Sequence, residues 1–583
     1  MIDFNYSLPR NKFRLLWLII IAAGVLYFAG LGSYYLSDRD EGEYASTTAY
    51  MQKNHDYVIP KLNDKYYLEK PILVFWAILG SEHIFGDNAF ALRFPGALCA
   101  FLILIFMGYF VSKITKDPDF TLLTVAAIAF MPLYAMIAKI VETDMELTLF
   151  TTISIIAFFV GTESERPRDK IWYYVSWIFM GLGFLTKGPV APAVILPTAF
   201  FYALFRGRFW EIFKRCGIIV GIIILLVINL PWYGLAYHRL GDIFIDKFFG
   251  SQILKRGTEI LLGHGGGPFF YIPVILIGAF PFSAPAIVGL FMAIKKFFRK
   301  RAIKNDSTLE RFVLISALAV LLVWIVFSAA ATKQPNYILP ALPFLGVMVA
   351  YFWHRLFTGK KMGKWFSKIF WFIFIFLAVL WVLAGLLVPI VIPVLWPFLN
   401  SLIKPNSSEY ALPLIAPVYI ILPLLIAVIS GVIGVYATKL FKRKEIKKMA
   451  ATIAVGSFVF CAAAWILGGS VINMLQRPEV ELTTALKAKL NSNTEVVTFG
   501  LWKPTLFFYL GIEKIPKYRT NHETDIVALG KLLETDKPIF VIGRKRFDYI
   551  SYKVKGFNEI KCWEGYQLGG NDAAVTLWSK TSK

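Results

Sequence analysis

With 583 residues, 57% of them hydrophobic, the chain is too apolar for a soluble enzyme. Its formal charge of +23 is distributed over short loops between apolar runs, a pattern that argues against a nucleic-acid-binding patch and for basic loops flanking membrane spans. The four cysteines, Cys99, Cys216, Cys461 and Cys562, form no CxxC pair, so neither a disulfide framework nor a thiolate metal site is expected.

The N-terminus carries Arg10, Lys12 and Arg14 and then an apolar run from Leu15 to about Tyr35. No small-residue cleavage site follows, so a retained first span is expected. Further runs at about 92–111, 120–137, 147–161, 171–185, 190–204, 216–235, 269–293, 312–330, 338–352, 366–389, 412–436 and 450–468 predict about thirteen helices crossing about 30 Å of hydrocarbon. Alternate loops hold the basic clusters Lys113/Lys116, Arg166/Arg168/Lys170, Arg206/Arg208/Lys214/Arg215, Lys295–Arg301, Arg355–Lys364 and Lys439–Lys444. By the positive-inside bias these loops and the N-terminus are cytoplasmic, and the first loop and everything after about Ser470 lie outside.

Polar chemistry gathers on the outer side. The first loop holds Asp38-Arg39-Asp40-Glu41-Gly42-Glu43-Tyr44, then Val58–Leu62 and Tyr67-Leu68-Glu69-Lys70-Pro71; ionisable groups at a bilayer edge mark function by default. Segments 41–53 and 70–83 are each expected to form a short interfacial helix. Four other outer loops carry similar groups: Ala138–Asp144, Phe184–Pro189, the long stretch 236–268 with its Gly263-His264-Gly265-Gly266-Gly267, and Ala331–Tyr337. Span interiors are almost free of charge, which argues against a transporter, whose key charges sit near the midplane. From 471 to 583 the composition turns mixed, with β-like runs at 495–499, 538–543 and 573–578 between helical stretches 479–490 and 524–533. This predicts a small external α/β domain, 471–583, after a transmembrane catalytic domain, 1–470, whose external loops and interfacial helices fall at about 37–90 and 236–268.

A reaction on a lipid-linked phosphosugar needs cations for the leaving phosphate, whose charge grows in the transition state. Lys70, Arg93, Lys187, Arg256 and Lys333 are the candidates. It also needs a carboxylate near the anomeric carbon, for which Asp40 comes first and Asp144 second. Tyr67 and Tyr337 are candidates to hydrogen-bond sugar or phosphate, and Glu69 and His264 to meet at a divalent metal, although two ligands far apart in sequence make a weak metal signal. The same lysines also suit snorkelling anchors, and both Asp144 and Asp40-Glu41 suit helix N-termini.

Asp40-Glu41-Gly42-Glu43-Tyr44-Ala45, Val58-Ile59-Pro60-Lys61-Leu62-Asn63 and Tyr67-Leu68-Glu69-Lys70-Pro71 together resemble the polyprenyl-phosphate-sugar glycosyltransferases of the GT-C class, in particular the ArnT-like aminoarabinose transferases. Arg93, Leu185-Thr186-Lys187-Gly188-Pro189 and Lys333 with Tyr337-Ile338-Leu339-Pro340 extend the similarity through most of the membrane domain. The resemblance implies a polytopic α-helical GT-C membrane protein with a small periplasmic α/β C-terminal domain. It implies transfer of an amino sugar from undecaprenyl phosphate to a lipid A phosphate on the periplasmic face of the inner membrane. It gives Asp40 the central catalytic role with Asp144 in support, Lys70 a phosphate-binding role, Tyr67 and Tyr337 the cavity walls, and Glu69 with His264 a metal pair; Glu41, Glu43 and Tyr44 lie near the site. No organic cofactor is expected, and the implied partners are the lipid-linked sugar, lipid A or lipopolysaccharide, and membrane lipids, with the chain acting as a monomer. Glu43 stands where this branch usually has arginine, Asp64 where it has glycine, and Pro71 is followed by Ile72 rather than a second proline. These departures leave the sugar open between 4-amino-4-deoxy-L-arabinose and a hexosamine such as galactosamine. A protein hydroxyl acceptor, as in the O-mannosyltransferase relatives, and a lipid-linked-sugar flippase are the alternatives.

Overall fold

The apolar runs fold as helices, the form in which a chain satisfies its backbone hydrogen bonds without water. A computed structural model describes residues 2–38, 40–164, 166–255, 265–299, 306–360, 362–403, 417–544, 558–563 and 566–570. From the N-terminus, α1 (Arg10–Phe28), α2 (Asp40–Lys53), α3 (Leu73–Phe85), α4 (Ala89–Thr115), α5 (Pro118–Phe130), α6 (Pro132–Ile137), α7 (Thr143–Glu163), α8 (Ile171–Lys187) and α9 (Val190–Phe205) precede a further helix at Ile218–Leu240 and a π-helical segment at Ile245–Lys255. Among the described residues nine helices are long and apolar enough to cross a membrane: α1, α4, α7, Ile218–Leu240, Thr308–Ala329, Pro335–Phe357, Lys364–Pro389, Val418–Lys442 and Ile446–Lys487. The chain is a multi-pass membrane protein.

The other expected spans are shorter or broken helices. The run 120–137 divides into α5 and α6 at Met131, whose extended backbone precedes Pro132; proline supplies no N–H to the preceding turn and disfavours helical geometry in its neighbour. The run 269–293 is likewise interrupted, between Tyr271–Gly278 and Ser283–Arg299. The first span ends at Phe28 rather than near Tyr35, because Ala29 is extended and Gly30 has a φ of 71°. Segments 41–53 and 70–83, expected to be helical, correspond to α2 and α3. Local capping fixes other boundaries: Asn88 Oδ1 accepts the Ala91 amide at 3.0 Å to start α4, and Asp117 Oδ1 accepts that of Phe120 at 3.0 Å to start α5.

The chain divides into two compact units. The first comprises Met1–Leu31, Leu68–Gly385 and Leu425–Trp465; the second comprises Gly32–Tyr67, Leu386–Leu424 and Ile466–Lys583. In the first unit a continuous apolar core surrounds α7, 94% of whose apolar window is buried, whereas Ile218–Leu240 is 17% buried and leaves most of its apolar surface outward. Both ends of α7 carry buried acids. At its C-terminus Glu163 Oε1 accepts from Tyr202 Oη at 2.7 Å and Arg206 Nε at 2.8 Å, and Glu163 also pairs with Arg311.

In the second unit the first loop supplies α2 and a two-stranded ribbon, β1 (Lys61–Leu62) and β2 (Lys65–Tyr66), turned by Asn63 and Asp64 at φ of 52° and 59°. The C-terminal part forms a five-stranded mixed sheet from β3 (Glu495–Phe499), β4 (Lys517–Tyr518), β5 (Ile539–Arg544), β6 (Asn558–Trp563) and β7 (Tyr566–Gly570), in the order β4-β3-β5-β7-β6. β3 runs parallel to β4 and β5, and β7 is antiparallel to β5 and β6. Val497, Phe499, Ile539 and Val541 pack with Leu529 and Leu533 of the helix Glu523–Leu533 into a separate small core. β3 and β5 occupy the first two β-like runs; the third, 573–578, lies outside the described residues.

Candidate active site

The first unit encloses a cavity of 190 Å³ lined by Glu69, Lys70, Lys187, Thr332 and Tyr337 together with apolar groups that include Phe248, Val326 and Phe327. Lys187 is the last residue of α8, which stops because Gly188 takes φ 66° and ψ −143°, a conformation that excludes a side chain. Its ammonium is held from two directions. Asp144 Oδ1 lies 2.6 Å from Lys187 Nζ, and the Tyr337 ring centroid lies 4.1 Å from it. The second Asp144 oxygen accepts from Asn336 Nδ2 at 2.9 Å. Asp144 is fully buried, in the first turn of α7, where a negative charge is favoured by the helix dipole.

Both Asp144 oxygens are thus engaged, one by Lys187 and the other by Asn336. In the sequence the Asn336 amide, between Pro335 and Tyr337, carries no signal that separates it from its neighbours. The short 3₁₀ turn Pro335–Ala341 delivers Asn336 to Asp144 and Tyr337 to Lys187.

Two further cations named from the sequence take other positions in this unit. Arg93 is fully buried in α4 and donates from Nη1 to the Leu31 carbonyl at 2.7 Å, beyond the end of α1. Lys333 donates to the Ala330 carbonyl at 2.5 Å. Neither lines the cavity. Lys139, buried on the loop before α7, caps the end of α1: its ammonium donates to the carbonyls of Leu26 at 2.9 Å and Ala29 at 2.6 Å and lies 4.2 Å from the Trp465 ring, satisfying helix-end carbonyls.

The second unit holds the first loop. Asp40 is the exposed first residue of α2. Glu41 is buried, and its Oε2 accepts from the Ser37 amide at 2.8 Å and the Ser37 hydroxyl at 3.1 Å. Glu43 Oε2 accepts from Tyr67 Oη at 2.8 Å, so Glu43 orients the tyrosine to which the resemblance gives a cavity-wall role. Tyr44 is buried. Arg256 and His264 lie outside the described residues. No group of three or more His, Cys, Asp or Glu that would hold a metal occurs among the described residues. Of the expected metal pair, Glu69 lies among the described residues and lines the cavity.

Residues 69–234 match the sequence profile of the dolichyl-phosphate-mannose-protein mannosyltransferase family. The chain is 29% identical over 330 residues to an undecaprenyl phosphate-alpha-4-amino-4-deoxy-L-arabinose arabinosyl transferase of Photorhabdus laumondii, covering 56% of this chain and 57% of that protein. It is 30% identical over 336 residues to the protein of the same name from Yersinia enterocolitica, covering 57% and 58%. The chain thus matches between half and two thirds of the length of these relatives. In structure it resembles ArnT from Cupriavidus metallidurans bound to undecaprenyl phosphate, with a TM-score of 0.76 at 20% identity over 96% of this chain and 98% of that one. It also resembles the archaeal oligosaccharyltransferase AglB from Archaeoglobus fulgidus, with a TM-score of 0.52 at 10% identity over 97% and 74%. The expected GT-C fold is borne out: the chain shares the architecture of these glycosyltransferase structures and is similar in sequence to the arabinosyl transferases over somewhat more than half of its length.

Proposed function

We propose that the chain transfers an amino sugar from undecaprenyl phosphate to a phosphate of lipid A. The observation that carries this reading is the pair of ammonium groups, Lys70 and Lys187, lining one cavity, with Lys187 held by Asp144 and Tyr337. Such an arrangement suits a leaving phosphate: the bond from the anomeric carbon to the undecaprenyl phosphate oxygen breaks, an acceptor phosphate oxygen forms the new bond, and charge accumulates where preorganised cations already stand. Lys70 and Lys187 neutralise the departing undecaprenyl phosphate, and Tyr337 walls the sugar-phosphate head. An acceptor phosphate is anionic near neutral pH and needs no base. Asp40 accordingly positions the acceptor or stabilises the positive charge that develops at the anomeric carbon.

The names of the arabinosyl transferase relatives and the undecaprenyl phosphate in the ArnT crystal structure support the donor. The acceptor, the periplasmic site and the bacterial inner membrane belong to the same reading, which the basic loops support by favouring a cytoplasmic N-terminus. The transferred group is 4-amino-4-deoxy-L-arabinose or a hexosamine such as galactosamine. Either adds a cation to the outer surface and lowers its attraction for cationic peptides.

The mannosyltransferase profile over 69–234 favours a second reading, a protein hydroxyl acceptor, for which Asp40 would serve as a true base. Mass spectra of lipid A decide between the readings, using cells that make the wild-type chain, Asp40→Asn, or neither. A sugar-sized increment confined to the wild type is expected, and its mass separates an aminopentose from a hexosamine. Unchanged lipid A in all cells, with the protein present in the membrane, refutes the lipid acceptor.

A further inference from the structure

We propose that Lys503 is a positioning residue for Asp40, holding α2 from behind through a polar clamp on the C-terminal region. The proposal rests on the reading of Asp40 as the carboxylate that faces the reacting sugar.

The clamp lies wholly within the second unit. Lys503 Nζ stands 3.2 Å from Asp38 Oδ2 and 3.4 Å from Glu479 Oε2, and Glu479 is 1% exposed. The Thr505 hydroxyl bridges the same two acids, 3.0 Å from Asp38 Oδ1 and in contact with Glu479. Asp38 is two residues from Asp40 and leads directly into α2. Further along the helix, Ser46 Oγ donates to the Pro504 carbonyl at 2.8 Å. Between these contacts Gly42 lets the helix rest on bare backbone: a Cβ at that position would lie 2.7 Å from the Thr505 nitrogen.

Gly42 and Ser46 are four residues apart and share one face of α2. At about 100° per residue, Asp40 is turned roughly 200° from Gly42. Asp40 therefore projects from the side opposite the clamp, in keeping with its exposure. The strand-like approach is tied as well: Leu36 N donates to Tyr509 Oη at 2.9 Å, and Tyr35 N to Asn473 Oδ1 at 2.8 Å. At the far end, the Asn63 side chain exchanges two hydrogen bonds with the Ile515 backbone, at 3.0 and 3.2 Å.

Within this set Lys503 has a distinct electrostatic role. Two carboxylates converge on one ammonium, so removing the ammonium leaves Asp38 and Glu479 facing each other across Thr505. Their repulsion acts on Asp38, at the entry to α2, and shifts the start of the helix that carries Asp40. A misplacement of about 1 Å in a reacting group costs on the order of a hundredfold in rate.

The test uses the full chain in lipid nanodiscs with an undecaprenyl-phosphate amino sugar and lipid A. Wild type, Lys503→Met, Lys503→Arg, Thr505→Val and Asp40→Asn are compared by kcat, by KM for the donor, and by deuterium exchange of the α2 amides. Lys503→Met is expected to lower kcat by about a hundredfold with little change in donor KM, and to speed exchange in α2 while β3 and β5 stay protected. Thr505→Val is expected to show a smaller loss of the same kind, and Lys503→Arg to recover most of the rate. Faster α2 exchange with undiminished kcat overturns the positioning role. Loss of protection across β3 and β5, without rescue by arginine, overturns it in favour of a folding role. Full activity in Asp40→Asn refutes the reading of Asp40 itself and is recognisable independently of the Lys503 results.

Discussion

Replacing Lys187 with methionine tests whether Asp144 is bound to its partner as tightly as the geometry implies. The Lys187 ammonium and Asp144 carboxylate are 2.6 Å apart, with side-chain exposures of 9% and 0%. At an effective dielectric constant of about 20, Coulomb attraction at that distance is about 6 kcal/mol. Desolvation of both ions offsets much of this, but removing one ion leaves the other buried and uncompensated, a cost of about 3–5 kcal/mol. Lys187→Met and Asp144→Asn should therefore each be strongly destabilising. The double variant should be destabilised by much less than the sum, since no buried charge remains. Thermal unfolding of detergent-solubilised protein, followed by loss of monodisperse material, gives the order of the variants: wild type, then the double, then the two singles. A double variant whose loss equals the sum of the single losses would refute the coupling. Transfer should be lost in Lys187→Met and in the double variant alike, because the double variant restores stability while leaving the cavity with Lys70 but not Lys187 of its paired ammonium groups.

Asn336→Leu removes the donor to the second Asp144 oxygen and should cost about 1–3 kcal/mol, read as a lower unfolding temperature with a reduced rate of transfer. Glu163→Gln leaves Arg206 and Arg311 without their shared buried carboxylate; a loss of about 3–5 kcal/mol is expected, visible as a lower unfolding temperature. Gly42→Ala forces a methyl group to within 2.7 Å of the Thr505 nitrogen and should cost about 1–3 kcal/mol of local stability, measured as faster amide exchange in α2.

Hydrophobic runs made the membrane helices legible, because the bilayer imposes both length and composition. The breaks at Met131–Pro132 and near Pro281 were less legible: a run long enough to span reads as one helix until proline geometry is considered. β6 and β7 were missed because Asn558–Trp563 and Tyr566–Gly570 mix charge and glycine with few β-branched residues, and their pairing supplies what local propensity does not. In the site, the alignment of Lys70, Lys187 and Tyr337 on one cavity follows loops already suspected from their charge at span ends. Asn336 was not separable from its neighbours, since an amide in a proline turn is common and its value comes from Asp144, 192 residues away. Arg93 stands at the start of a span, a place that suits a membrane anchor as well as a phosphate ligand; in the structure it is buried and donates to the Leu31 carbonyl. A basic residue at a helix start has two directions available, and sequence alone does not choose between them.

Because α7 is tethered by acids at both ends, it acts as a gauge as well as a scaffold. Asp144 and Glu163 are nineteen residues apart in the sequence, about 28 Å along a helix, close to the thickness of the hydrocarbon layer. Inserting or deleting one residue between them would rotate one end by about 100° and slide it by about 1.5 Å relative to the other. Either the Lys187–Asn336 pairing or the Tyr202–Arg206–Arg311 pairing could then be kept, but not both. The interval between these two acids is therefore fixed in length, whichever residues fill it.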